Sequence, residues 1–247
     1  MRPDILSDPV EILKSRHLDV VPYAKRVVAL SEHLGIDLSS TLFALGYVPL
    51  CQQQDSHAAA RRGLAKLIAE RNEALRSAIP AMVRRHCGVL GLPGRVDVMP
   101  AVIEPLVSQA LSVLAGISLD VAGVDYVSRI FSQTLGVAKR RKLEQTLGQM
   151  IAQLRAAFPD ADDSGIGQRL ALVILGRDAM LGTFGRSLHG MAQSAQGAAW
   201  SALDWPDAPH RTGVPYIDRV AIRDVCVGGQ PVDAGGVIRA QLSEYEA

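Results

Sequence analysis

DRVAIRDVCVGGQPVDAGGVIRAQL, residues 218–242, is the stretch that decides the fold. It alternates through VAIRDVCV, turns at Gly228-Gly229 and alternates again through GVIRAQL, which is the period-two signature of a β-hairpin. Nearly everything before it carries helical periodicity. A lone hairpin cannot bury its own apolar face, so a mainly helical chain must supply the surface it packs on.

Working outward from the hairpin, GIGQRLALVILGRDAMLGTFGRSLHGMAQSAQ predicts a long, largely apolar helix through the centre of a fold. PDADDSG ahead of it is a polar loop with stop and start signals. VAKRRKLEQTLGQMIAQLRAAF is amphipathic, with Leu143, Leu147, Ile151 and Leu154 on one side and basic residues on the other. DVMPAVIEPLVSQALSVLAGI predicts a buried helix that starts near Asp97, ends near Gly116 and is kinked by its prolines. The segment 55–90 predicts one or two helices, with Asp55 and Ser56 as caps and an interruption near Pro80. From Ser15 to about Gly46 the pattern again reads as helix, with Val20, Val21, Ala24, Val27, Val28 and Leu34 near one face. Gly46 to Leu50, with Pro49, ends it. The expected architecture is one mainly α domain over 1–247, with a helical body in 1–208 and a β-hairpin region in 209–247.

Composition narrows the classes. The 247 residues are 48% hydrophobic and 21% charged, and 26 basic against 25 acidic residues leave a formal charge of +1. No global field marks the chain for nucleic acid or a membrane surface. The basic run 139–142, KRRK, has no interleaved aromatics of the kind single-stranded nucleic acid stacks on, and reads as a solvated helix face. Cys51, Cys87 and Cys226 stand far apart without a CxxC, which argues against a disulfide framework or a zinc site and fits a reducing cytoplasm. MRPDILSDPVEILKSR carries charges where a leader would be apolar, and the longest apolar run, LALVIL, is far short of the roughly 20 residues that span a bilayer. The expectation is a soluble cytoplasmic protein with no nucleic-acid or membrane partner.

Four collinear stretches over roughly residues 50–242 together resemble the bacterial cytochrome P450 family. DSHAAARRGLAKLIAERNEALRSAIPAMV is similar to the family's His-x-x-x-Arg helix, with His57 and Arg61 in the motif positions. Their i,i+4 spacing places them on one helical face, suited to gripping carboxylates. GRVDVMPAVIEPLVSQALSVLAGI resembles the segment leading into the helices over the substrate side. LALVILGRDAMLGT resembles the central helix that crosses the haem face. TGVPYIDRVAIRDVCVGGQPVDAGGVIRAQL resembles the hairpin after the family's Glu-x-x-Arg helix, and Arg219 matches its propionate-binding arginine. The resemblance implies a haem site in which His57, Arg61 and Arg219 contact the porphyrin's acid groups.

The departures fall on the chemistry. The family's iron-binding cysteine lies on a loop roughly a hundred residues beyond this hairpin, and neither Cys226, in a strand, nor Cys51 or Cys87, early in the chain, stands in that place. WSALDW puts Ser201 and Asp204 where the family has Glu and Arg, while Glu73-x-x-Arg76 lies before the central helix, in the wrong place. In GRDAM the acid is Asp178 but the following threonine is Ala179, with Thr183 a turn on. A buried Asp178 would have to pair, with Arg177 or Arg186 the neighbours at hand, or titrate upward.

Each singled-out residue also has a plainer reading. His57 and Arg61 are equally a solvated helix start; His86 and His189, which might otherwise ligate iron, read as helix-face histidines; and Trp200 and Trp205 read as packing at a helix end. The expectation is therefore a truncated P450-like protein without haem-thiolate monooxygenase chemistry and without a metal site. It would act as an accessory protein in a biosynthetic pathway and bind a protein partner or itself through exposed apolar surface. Haem-free relatives that help glycosyltransferases make this role one the resemblance implies. The alternatives are an enzyme that still holds haem or another carboxylate-bearing ligand through His57, Arg61 and Arg219, with Asp178 as acid or base, and one half of a split monooxygenase.

Overall fold

The structure is a computed structural model that describes residues 4–6, 9–52, 54–88, 96–132, 134–195, 214 and 216–242. In chain order the elements are β1 (Asp4–Leu6), α1 (Pro9–Lys14), β2 (Leu18–Val20), α2 (Tyr23–Leu34) and α3 (Ser39–Leu45). A 3-10 turn at Pro49–Cys51 leads to α4 (Gln54–Cys87). A π-helical turn at Met99–Ile103 runs into α5 (Glu104–Ala115), followed by α6 (Val121–Ser128), α7 (Val137–Ala157) and α8 (Asp163–Ala195). The chain then forms β3 (Tyr216–Ala221), β4 (Val225–Val227), β5 (Gln230–Val232) and β6 (Val237–Gln241). The protein is mainly α, as its periodicity requires. It divides into two compact units, residues 22–177 and residues 1–21 with 178–247, and the boundary falls inside α8.

In the unit 22–177, Leu111 on α5, Leu143, Leu147 and Leu154 on α7, and Ile166, Leu170 and Ile174 on α8 are fully buried. Met150 joins the α7 stripe where the spacing pointed to Ile151, which is only half-buried. Leu67, Leu114 and Leu172 form a second cluster joining α4, α5 and α8. The proline kink expected before α5 takes the form of the π-helical turn, which contains Pro100. Gly116 ends α5 in the left-handed region at φ 79°. Two arginines cap the carbonyls that the end of this helix leaves open: Arg71 donates Nε and Nη2 to Val113 O at 3.2 and 2.8 Å, and Arg169 donates Nη1 to Ala115 O at 3.1 Å. Burial, and then the nearby Arg71, hold Arg169 below the ordinary arginine range.

Helix α4 starts at Gln54, so Asp55 and Ser56 lie inside its first turn, and it continues through Pro80. At the N-terminus of α3, Leu38 has no side chain that can cap, and Asp37 Oδ1 accepts from Ser39 N alone, at 2.9 Å. Glu144 of α7, more than 100 residues away, caps the next two amides: its carboxylate accepts from Ser40 N at 2.6 Å, Thr41 N at 2.9 Å and Thr41 Oγ1 at 2.8 Å. Close approach replaces side-chain volume at Gly167, where a Cβ would overlap the Tyr47 ring. Desolvation, with Asp162 and Asp163 nearby, pushes the Tyr47 phenol up.

The other unit answers what the hairpin packs against. Strands β3 and β6 pair antiparallel, β2 joins the open edge of β3, and β1 runs parallel to β6, giving the order β1-β6-β3-β2. Leu18 and Val20, expected in a helix, are strand residues in register with Ala221 and Arg219. Pro22 is the physical reason, since it biases Val21 away from helical backbone and α2 begins only at Tyr23. Strands β4 and β5 form the separate Gly228-Gly229 hairpin, and both glycines adopt positive φ there. Ile12 of α1 packs with Leu18, Ala221, Val227, Ile238 and Ala240 to close this core. Asp218 and Arg239 stand opposite each other in register and form a bidentate ion pair at 2.8 and 3.0 Å.

Candidate functional site

His57 lies in the first turn of α4, half-buried, with Nδ1 2.7 Å from Pro49 O. A carbonyl oxygen can only accept, so Nδ1 carries the proton and donates it. The neutral ring then presents a lone pair at Nε2. Only the doubly protonated ring could donate from Nε2 to a carboxylate, which makes any anion grip at His57 a property of the imidazolium. Arg61, one turn on and on the same face, is exposed and makes no hydrogen bond or ion pair among the described residues.

Arg219 sits at the centre of β3, between Ile238 of β6 and Val20 of β2 in register, and its Nη1 donates to Asp218 O at 3.3 Å. It is half-buried. His57 and Arg61 belong to the unit 22–177, and Arg219 belongs to the unit formed by 1–21 and 178–247. Within their own units, each of these side chains is presented by regular secondary structure, the geometry that holds a binding group best.

Asp178 is exposed on α8 rather than buried. Arg177, one of the neighbours expected beside it, forms an ion pair with Asp125 of α6, with Nη2 2.7 Å from Oδ1. Arg129 takes the other oxygen of Asp125 at 2.6 Å. The i,i+4 spacing of Asp125 and Arg129 is legible in the sequence; the Arg177 contact, across 52 positions, has no local signal. Ala179 and Thr183 follow on α8, both half-buried. Ser201, Asp204, Trp200 and Trp205 lie outside the described residues.

The cysteines do not fit a thiolate that binds iron. Cys51 is half-buried in the 3-10 turn, and burial pushes its thiol up to about 12, so it stays protonated. Cys87 closes α4, and Cys226 is exposed on β4 opposite Pro231. Of the histidines considered for iron, His86 has Nε2 engaged with Gln109 Oε1 at 2.8 Å, and His189 is exposed on α8. No group of three or more His, Cys, Asp or Glu side chains that could hold a metal ion occurs among the described residues. They offer cations that can bind carboxylates, without a poised thiolate donor, and no step through haem follows from them. No helix among the described residues is long and apolar enough to cross a membrane.

No family model matches the sequence, and no curated protein matches it either. Solved structures do. CalO2 superposes with a TM-score of 0.70 at 14% identity, over 96% of this chain and 68% of that one. P450BioI, in a complex with hexadec-9Z-enoic acid ligated acyl carrier protein, gives 0.63 at 15% identity, over 94% and 68%. Cytochrome P450 TxtC gives 0.61 at 20% identity, over 98% and 71%. At these identities the likeness establishes the fold alone.

Proposed function

We propose that this chain, which has the cytochrome P450 fold, is an accessory, partner-binding protein of a biosynthetic pathway that does not itself carry out haem-thiolate oxygen chemistry. The observation that carries the reading lies inside the sequence. Where P450 enzymes place the Glu-x-x-Arg pair this chain has Ser201 and Asp204, and where they place the threonine after the central-helix acid it has Ala179. These losses remove a core ion pair and a proton-delivery group at once, while the body that presents His57, Arg61 and Arg219 is kept. Such a pattern fits a fold retained for binding. Exposed apolar side chains support it further: Ile68, Ile79 and Val83 on α4 are 40%, 44% and 41% accessible, and Ile222 is 54% accessible.

Light scattering on a sizing column tests the binding role. The purified chain should elute above its 26.4 kDa monomer mass, and Ile79→Glu with Val83→Glu should return it to the monomer. A monomer at every concentration, with no partner co-purifying from the native host, would contradict the reading.

The lengths support a second reading. The chain spans 68% of CalO2 and 71% of TxtC, so a further polypeptide segment carrying an iron ligand could complete the fold, as in a split monooxygenase. Co-purification from the native host separates the two, because a complementing segment would bring a cysteine loop and an unrelated partner would not.

A further inference from the structure

Helix α4 turns one face inward. Leu64, Leu67 and Leu75 pack in the cluster with Leu114 of α5 and Leu172 of α8, and Arg71, on the same face, is tied to Val113 O. About 100° further around the helix runs a second seam, Ala65, Ile68, Asn72, Arg76, Ile79 and Val83, every member of it exposed. Its 3-4-4-3-4 spacing is that of a helix packed along a line against a neighbour.

The seam reads nearly the same in both directions. Ala65 with Val83, Ile68 with Ile79, and Asn72 with Arg76 are each centred within one residue of position 74. A two-fold axis through that point sets two copies of α4 antiparallel, with Ile68 on the partner's Ile79 and Ala65 on the partner's Val83. The charges obey the same symmetry. Glu73 and Arg76, the Glu-x-x-Arg pair of this helix, are both exposed, and neither makes a hydrogen bond or ion pair among the described residues. Their midpoint also falls at the axis, so each Arg76 comes opposite the partner's Glu73, twice in the dimer. A parallel pair would instead set Arg76 against the partner's Arg76. The like charges that the antiparallel register brings near are Lys66 and the partner's Arg84, and Glu70, 3.8 Å from Lys66, offsets them.

We propose that α4 is the self-association face of this chain: two copies pair antiparallel through the outer seam, held at the two-fold axis by reciprocal ion pairs between Glu73 and Arg76. The inference rests on the binding role proposed above and names its partner as a second copy. From Ala65 to Val83 the seam is about 27 Å long. A single helix line of that length buries less than a standard interface, so the dimer is a weak one that dissociates on dilution.

Sedimentation equilibrium of the full chain over a concentration series tests it by giving the dissociation constant of the dimer. Glu73→Arg and Arg76→Glu should each weaken the dimer at least tenfold, because the two-fold axis repeats every like-charge contact. Combining the two restores the complementarity and should bring the constant back to within threefold of the original. Asp160→Arg, the same change of charge at an exposed site outside α4, should leave it unchanged. Positions 73 and 76 are exposed, so these variants act on association and not on the stability of the monomer, and circular dichroism should show all of them folded. A dimer indifferent to both single changes, or a double exchange no tighter than the singles, would overturn the proposal and leave the binding role in place. A monomer at every concentration would also overturn it, and would take the binding role with it only if no partner co-purifies from the native host.

Discussion

Replacing Glu144 with alanine should destabilise the helical unit by about 3 kcal/mol, more than any other single surface-accessible carboxylate in that unit. Its side chain accepts three hydrogen bonds at the start of α3, and one of the donors, Thr41, is only 4% exposed. A hydrogen bond to a charged group contributes roughly 1.5–3 kcal/mol, and the three share one carboxylate, so they do not add in full. Removing it leaves the Ser40 and Thr41 amides of a seven-residue helix without a cap and a nearly buried hydroxyl without a partner. Glu144→Gln keeps an acceptor oxygen and should recover roughly half of the loss, since a neutral acceptor is about half as strong. Urea unfolding gives the measurement, as a lower midpoint with an unchanged slope. Glu73→Ala, at an exposed α4 position, is the control and should stay within about 0.5 kcal/mol. A Glu144→Ala loss no larger than the control's would show that the cap does not form.

Asp218→Ala should cost the sheet unit about 2 kcal/mol. The side chains of Arg239 and Asp218 are 25% and 13% exposed, and the guanidinium also lies 3.6 Å from the centre of the Tyr216 ring. Breaking a fully buried pair costs roughly 3–5 kcal/mol because a charge is left behind. Partial exposure and the remaining aromatic contact reduce that here. Asp218 precedes Arg219 on β3, so its loss should also loosen the strand that presents Arg219. Arg223→Ala, at an exposed residue that meets His17, should change stability by less than about 0.5 kcal/mol. Thermal unfolding of both variants distinguishes a strand held by the ion pair from one held by packing alone.

The parts of the fold readable from sequence are those written in local periodicity. Leu143, Leu147 and Leu154 announce α7, the LALVIL run announces the buried start of α8, and Gly116 and Gly228-Gly229 mark their turns. The sheet was only half legible. Strands β1 and β2 have three residues each, too few to show alternation, and β2 pairs with β3 across about two hundred positions. A valine-rich segment beside a helix therefore reads as more helix until Pro22 is given its weight.

The site divides the same way. The spacing of His57 and Arg61 fixes their shared face, but the Pro49 carbonyl that sets the His57 tautomer comes from a turn outside the helix. Asp178 sits in an apolar sequence yet on the exposed side of α8, because three or four apolar neighbours along a helix do not cover every face. The Arg177 to Asp125 and Glu144 to Thr41 contacts are set by how helices pack, which sequence spacing does not encode.

One measurement bears most directly on the claim that this P450 fold serves binding rather than oxygen chemistry. The chain is expressed with excess haem, purified, reduced, and its absorbance recorded with and without carbon monoxide. The account predicts no stoichiometric Soret band and no carbonyl spectrum of the thiolate type. Stoichiometric haem with a thiolate-type carbonyl spectrum from this chain alone would contradict it.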